Sequence, residues 1–229
     1  MESTLGRRAP VADRRQPAVG CTMIATMRST YGNRQKHESR NPLQQALLGR
    51  FKAEVVRIVR AVRPRTLLEV GCGEGYMLEV IAEAGLGVSL HGVDVSTRAI
   101  EDARERLGGQ ARLEVLDARD LARAGETYDL VLMLEVLEHL ERPADMLPIL
   151  ASLTGEHVLL SVPWEPIFRG LNFLRGKHVR ALGNDPEHVQ HWGRAGFLRF
   201  VETRFDVLEA PFVFPWTMAL ARRRARDAS

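Results

Sequence analysis

The chain has 229 residues, 45% of them hydrophobic, and a formal net charge of +3. That is enough apolar material for one domain with a full core. It is not a membrane-spanning composition, because the longest apolar run, Leu130 to Leu137, is broken by Glu135. The two cysteines, Cys21 and Cys72, make no disulfide framework and fit a reducing cytoplasm, and the basic first residues lead into no apolar signal core.

Charge is unevenly distributed. Of the 32 Lys and Arg and 29 Asp and Glu, the first 65 residues hold 14 basic and 4 acidic side chains, so the remainder is acidic even with Arg222, Arg223, Arg224 and Arg226 included. Basic ends suit an anionic lipid surface or nucleic acid, and equally a solvated tail. Residues 1–30 contain Pro10, Pro17 and paired arginines without periodicity, which predicts a disordered basic leader ahead of one domain over 31–229.

In chain order, Leu43, Leu47, Phe51, Val55, Ile58, Val59 and Val62 recur at helical intervals and predict an amphipathic helix over 42–62, with Asn41 placed to cap it and Pro64 to end it. Then follow a strand over 66–70, a helix over 76–84, a strand over 89–95, and a helix over 97–107 capped by Ser96. Further strands are expected at 112–116, 130–134 and 157–162, with a helix over 144–153 before the last of these. A helix over 194–202 leads to two closing strands at 204–208 and 217–222. Strands separated by helices imply parallel pairing, hence an α/β, doubly wound, Rossmann-like seven-stranded sheet.

The informative segment is Leu67-Leu68-Glu69-Val70-Gly71-Cys72-Gly73-Glu74-Gly75, followed nineteen residues after Gly75 by Asp94. A β-rich run ends in three glycines at alternate positions and a helical pattern opens behind them. Such a turn lets backbone approach a ligand closely, and a carboxylate at the next strand tip can accept both hydroxyls of a ribose. The order G-x-G-x-G differs from the dinucleotide fingerprint G-x-G-x-x-G, and no Gly-Lys-Ser/Thr follows to cradle phosphates. Glu69 would repel a diphosphate but welcome an ammonium, which favours an amino-acid-bearing nucleoside.

Taken with Leu116-Asp117-Ala118 and Tyr128-Asp129-Leu130-Val131-Leu132-Met133-Leu134, these motifs resemble the class I S-adenosylmethionine-dependent methyltransferases over roughly residues 43–162. The resemblance implies S-adenosyl-L-methionine as cofactor, with Glu69, Gly71 and Gly73 near its methionine and ribose. It also implies Asp94 on the ribose hydroxyls, Asp117 and Ala118 on adenine, and Leu134 at the edge of the pocket. The strands at 204–208 and 217–222 would then form an antiparallel hairpin beside the fifth strand.

Glu135-Val136-Leu137-Glu138-His139 offers two carboxylates and an imidazole within one helical turn. This E-x-x-E-H is similar to a segment of the ubiquinone-biosynthesis O-methyltransferases and of small-RNA 2′-O-methyltransferases, where it holds a divalent cation. Glu135, Glu138 and His139 are therefore candidate ligands for a cation such as Mg, which would orient a diol and acidify its hydroxyl. His139, His188 and His191 are the candidate general bases, one of the latter pair also being placed to complete the metal site; Asp185 capping a helix beside surface histidines is the structural alternative. His37, His91, His157 and His178 read as ordinary polar residues. Arg40-Asn41-Pro42-Leu43 is similar to a segment that covers the donor in the quinone enzymes. Gln44 stands where those enzymes place a carboxylate-binding arginine, so Arg40 is the candidate replacement.

Residues 163–191 break the alternating pattern. Ile167, Phe168, Leu171 and Leu174 lie near helical spacing among arginines and a lysine, as in a lid or substrate insertion over the pocket, and 163–180 would suit peripheral contact with a bilayer. The expected activity is O-methylation of a small hydroxylated acceptor of quinone-like, phenolic, polyketide or glycan type, in the cytoplasm or at a membrane surface. RNA 2′-O-methylation and a non-catalytic donor-binding regulator are the alternatives. No aromatic stacking platform or RNA-binding module is present, which disfavours nucleic acid as partner.

Overall fold

The computed structural model describes residues 41–164 and 192–224. The expected leader, Arg40, most of the insertion, His188 and His191 lie outside the described residues.

Helix α1 spans Pro42–Val62. Its first turn is fixed by Asn41, whose side-chain oxygen accepts from the N–H groups of Leu43 and Gln44 at 3.0 and 3.4 Å, with Pro42 behind it where no N–H is required. It ends at Arg63, in left-handed conformation, before Pro64. Then come β1 (Thr66–Val70), α2 (Tyr76–Glu83), β2 (Ser89–Asp94), α3 (Thr97–Leu107) and β3 (Ala111–Val115). They are followed by α4 (Ala118–Ala124), β4 (Tyr128–Leu134), α5 (Met146–Leu153) and β5 (Thr154–Pro163). After the undescribed stretch come α6 (Arg194–Glu202), β6 (Phe205–Glu209), β7 (Phe212–Val213) and β8 (Trp216–Arg223).

The sheet runs in the order β3-β2-β1-β4-β5-β8-β6, with β7 paired to β8. The first five strands are parallel; β8 is antiparallel to both β5 and β6. This is the doubly wound α/β sheet with an antiparallel C-terminal end that the element pattern predicts, although the last strand lies inside the penultimate one. Both faces are covered, so the central strands are apolar on both sides. Leu67, Leu130, Leu132 and Leu159 pack under α1, α2 and α3, while Leu68, Val131, Met133 and Val158 pack under α4, α5 and α6. Arg57, paired with Glu54 at 2.8 Å, also reaches Glu209 and ties α1 to the end of β6. No helix among the described residues is long and apolar enough to cross a membrane.

The sequence reading missed α4, a helix of seven residues capped by Asp117 and stopped by Gly125, too short to show periodicity. It also took His91 for an ordinary polar residue. His91 is buried in β2, Nδ1 lying 2.5 Å from the Tyr128 hydroxyl and Nε2 3.0 Å from Glu114 Oε2. Burial, and then the nearby Arg112 charge, push its pKa down, so at neutral pH it acts as a neutral strut between strands.

Gly92, one residue further along β2, is required by close packing. A Cβ there would lie 2.6 Å from Leu78 Cδ1 and 2.9 Å from both Cys72 Sγ and Leu113 Cδ2. Gly92→Ala is therefore expected to cost about 1–3 kcal/mol by overpacking, read from urea unfolding; an unchanged midpoint would show that α2 yields freely.

Candidate functional site

The strand order reverses between β1 and β4, and the carboxyl ends of these two strands frame the crevice where ligands enter an open parallel sheet. The glycine loop leaves β1 here and Glu135 leaves β4. The N–H groups of Gly71 and Cys72 both donate to Val93 O, at 2.8 and 3.1 Å, which folds the loop back onto the end of β2. Gly71 has φ +74 and a Cβ on it would stand 2.7 Å from Val136 Cγ2. Neither the backbone conformation nor the space suits any other residue.

Asp94 terminates β2 beside this loop. Its Oδ2 accepts from Gly73 N–H at 3.0 Å and its Oδ1 from Ser96 N–H at 2.8 Å, so the carboxylate fixes both the loop and the start of α3 while each oxygen keeps a lone pair for a ligand. Ser96 in turn caps α3 through Ala99 N–H. Glu69 lies deeper, 4% exposed, and its Oε2 has no hydrogen-bond partner among the described residues. Burial, and secondarily the Asp94 charge, push its pKa up to about 8. Burial and the same two carboxylates raise the pKa of the Cys72 thiol as well, which leaves it inert as a nucleophile.

Glu69, Gly71, Cys72 and Glu74 line a cleft of about 610 Å³, including its solvent mouth, together with Leu48 and Phe51 of α1, Tyr76 and Met77 of α2, and Leu134, Glu135 and Trp216. Glu135 is one of two non-glycine residues at positive φ among the described residues, at +59. Its Oε2 accepts from Trp216 Nε1 at 2.6 Å and its Oε1 from Ser161 Oγ at 3.2 Å. Backbone strain of this kind persists where surrounding contacts hold it, commonly at a working site. At the outer end, Asp117 caps α4 through Arg119 N–H at 2.9 Å and pairs with the Arg119 side chain at 2.8 Å. Val95 and Val115, at the tips of β2 and β3, leave apolar surface exposed near it.

The structure thus brings Glu69, Gly71 and Leu134 to the wall of one crevice, with Gly73 and Asp94 joined to each other beside its loop and Asp117 and Ala118 at the adjoining strand tip. It does not bring the expected metal trio together. Among the described residues no three His, Cys, Asp or Glu side chains are grouped to hold a cation. The reason is local: Glu135 takes the left-handed conformation and turns to Trp216 and Ser161. Glu138 and His139 fall in a separate 3-10 turn, Leu137–His139, with Glu138 buried. Of the three, only Glu135 lines the cleft. His188 and His191, the other candidates for that site and for a general base, lie outside the described residues, as does Arg40. The sequence reading missed Tyr76 and Trp216. Tyr76 opens the helix directly behind the glycine loop, a position that could have flagged it, whereas nothing local marks Trp216.

The residues present fit S-adenosylmethionine. A buried carboxyl without a partner is suited to an ammonium, Asp94 retains acceptor capacity for hydroxyls, and Val95 and Val115 offer apolar surface to a base. Residues 68–156 match a methyltransferase domain family model. The chain is 38% identical over 94 residues to the ubiquinone biosynthesis O-methyltransferase of Thiobacillus denitrificans, a match covering 39% of each chain. It is 33% identical over 139 residues to the mitochondrial enzyme of that name from Schizosaccharomyces pombe, covering 56% of this chain and 49% of the relative. A malonyl-[acyl-carrier protein] O-methyltransferase of Anoxybacillus flavithermus is 31% identical over 93 residues, 41% of this chain and 36% of its own. The chain therefore spans about half or less of these curated relatives. Among solved structures, the magnesium protoporphyrin IX methyltransferase of Synechocystis PCC 6803 with bound S-adenosylhomocysteine superposes with a TM-score of 0.62 at 22% identity, covering 83% of this chain and 92% of that one. The N-methyltransferase NodS of Bradyrhizobium japonicum, with the same compound bound, gives 0.59 at 18%, covering 81% and 89%. The chain thus carries a stretch that matches a methyltransferase domain model and shares the α/β fold of these solved methyltransferase structures.

Proposed function

We propose that the chain transfers the methyl group of S-adenosylmethionine to a hydroxyl oxygen of a small acceptor of quinone-like, phenolic, polyketide or glycan type. The observation that carries the donor assignment is the buried, unpartnered Glu69 carboxyl beside Asp94 at the reversal of strand order. The names of the curated relatives support oxygen as the atom methylated.

S-adenosylmethionine, when bound, supplies an electrophilic methyl on a sulfonium, so the protein chiefly has to align and desolvate. Asp94 receives the ribose hydroxyls. Glu69 faces the ammonium, Asp117 and Ala118 border the base, and Leu134 walls the reactive end. Glu135, held by Trp216 and Ser161, is the lining carboxylate that takes the hydroxyl's proton as the C–S bond breaks, the new O–C bond forms and S-adenosylhomocysteine leaves.

The test is transfer of labelled methyl from S-adenosylmethionine to a panel of catechols, phenols and hydroxylated polyketides, with Asp94→Ala as control. The expected product is a methyl ether. Asp94→Ala is expected to bind the donor about 10–100-fold more weakly, the cost of losing charge-assisted hydrogen bonds. Absence of donor binding by the native chain, or methylation confined to nitrogen or carbon acceptors, would overturn the proposal.

A further inference from the structure

The three carboxyl side chains lining the cleft, Glu69, Glu74 and Glu135, are accompanied by no lysine or arginine among the described lining residues. That wall suits the ammonium and sulfonium of S-adenosylmethionine but repels its α-carboxylate. We propose that Lys52 anchors that carboxylate, an inference that rests on the donor reading above.

Lys52 lies on α1 one helical turn beyond the lining residue Leu48, on the same helix face. Its Nζ stands 6.0 Å from the ring centroid of Tyr76, which also lines the cleft. The other cation at that ring, Arg106, stacks at 3.7 Å but is committed elsewhere. Its Nε donates to Glu74 O at 3.0 Å and its Nη1 to Glu79 Oε2 at 3.3 Å. Lys52 has no hydrogen-bond or salt-bridge partner among the described residues, although it is partly buried. Burial is the main cause of its lowered pKa, with Glu79 and Glu83 acting against it and Arg106 with it. A partly desolvated ammonium gains from an arriving carboxylate, and its four-carbon stem lets Nζ swing toward one. Arg40, the sequence-based candidate for this contact, lies outside the described residues.

The experiment measures calorimetric affinity of the full chain for S-adenosylmethionine and for its decarboxylated analogue, in the native protein and in Lys52→Gln, Lys52→Met and Lys52→Arg. The native chain is expected to prefer the carboxylate-bearing compound by about tenfold or more. Lys52→Gln should abolish that preference while binding the decarboxylated analogue as before, and Lys52→Arg should keep most of it. Lys52→Met retains the apolar stem and replaces the Gln variant if thermal unfolding shows the latter to be misfolded. A preference that survives loss of the ammonium, or an equal loss for both compounds, overturns the Lys52 assignment while leaving the donor reading intact. A native chain that binds neither compound overturns the donor reading itself.

Discussion

Glu69→Gln is expected to stabilise the ligand-free protein at pH 8.5, leave it nearly unchanged at pH 5, and weaken binding of S-adenosylmethionine at every pH. The carboxyl is buried under the glycine loop, and burial together with Asp94 raises its pKa from an ordinary 4.5 to about 8. Between these values the unfolded chain has released the proton and the folded chain has kept it. Raising the pH through that window therefore favours unfolding, and the penalty is complete above about pH 8. For a fully buried group this amounts to about 5 kcal/mol. Glutamine keeps the shape and has no charge to lose, so its stability profile should lack this slope. Binding of a cationic donor favours the ionised carboxyl and should release a proton below pH 8 in the native chain, but not in Glu69→Gln. Urea unfolding at the two pH values, and calorimetry in buffers of different ionisation enthalpy, measure both effects. Parallel stability profiles for the two proteins would mean that Glu69 is already ionised and has a partner.

Gly71→Ala is expected to destabilise the fold by about 2–5 kcal/mol and to lower donor affinity by more than tenfold. The left-handed backbone at φ +74 costs an L-residue about 1–2 kcal/mol. The new methyl would also overlap Val136, which is itself buried in the core beneath α5. Relief by overpacking costs about 1–3 kcal/mol more. Val136 follows Glu135 directly, so any yielding at that contact also disturbs the carboxylate held by Trp216. Thermal unfolding and donor calorimetry on the same preparation separate the two consequences. A native-like Tm with native-like affinity would show the loop to be far more pliant than its hydrogen bonds to Val93 imply.

The parts of the fold legible in the sequence are those with local causes. Helix α1 is visible through its seven-residue apolar stripe, its Asn41 cap and Pro64, and α3 through its Ser96 cap. The glycine loop and Asp94 are legible because a turn and a strand end must bracket any ribose in this kind of sheet. What stayed hidden depends on distant pairing. Trp216 meets Glu135 across 81 residues, and no local pattern marks that contact. The reading of Glu135, Glu138 and His139 as one helical turn failed because a tertiary anchor overrode local spacing. Lys52 was indistinguishable from the other surface cations of α1 until the helix was seen to lie along the cleft. The closing strands were placed at the right edge of the sheet, but their order depends on pairing with β5, which hydrophobic periodicity does not encode.

Strand β8 is the last described element to be synthesised, yet it pairs with β5 on one side and β6 on the other. A chain lacking it presents two open strand edges, one of them β5 with its buried Val158, Leu159, Leu160 and Val162, and cannot hold Glu135 through Trp216. The carboxylate at the cleft is therefore positioned only once β8 has joined the sheet.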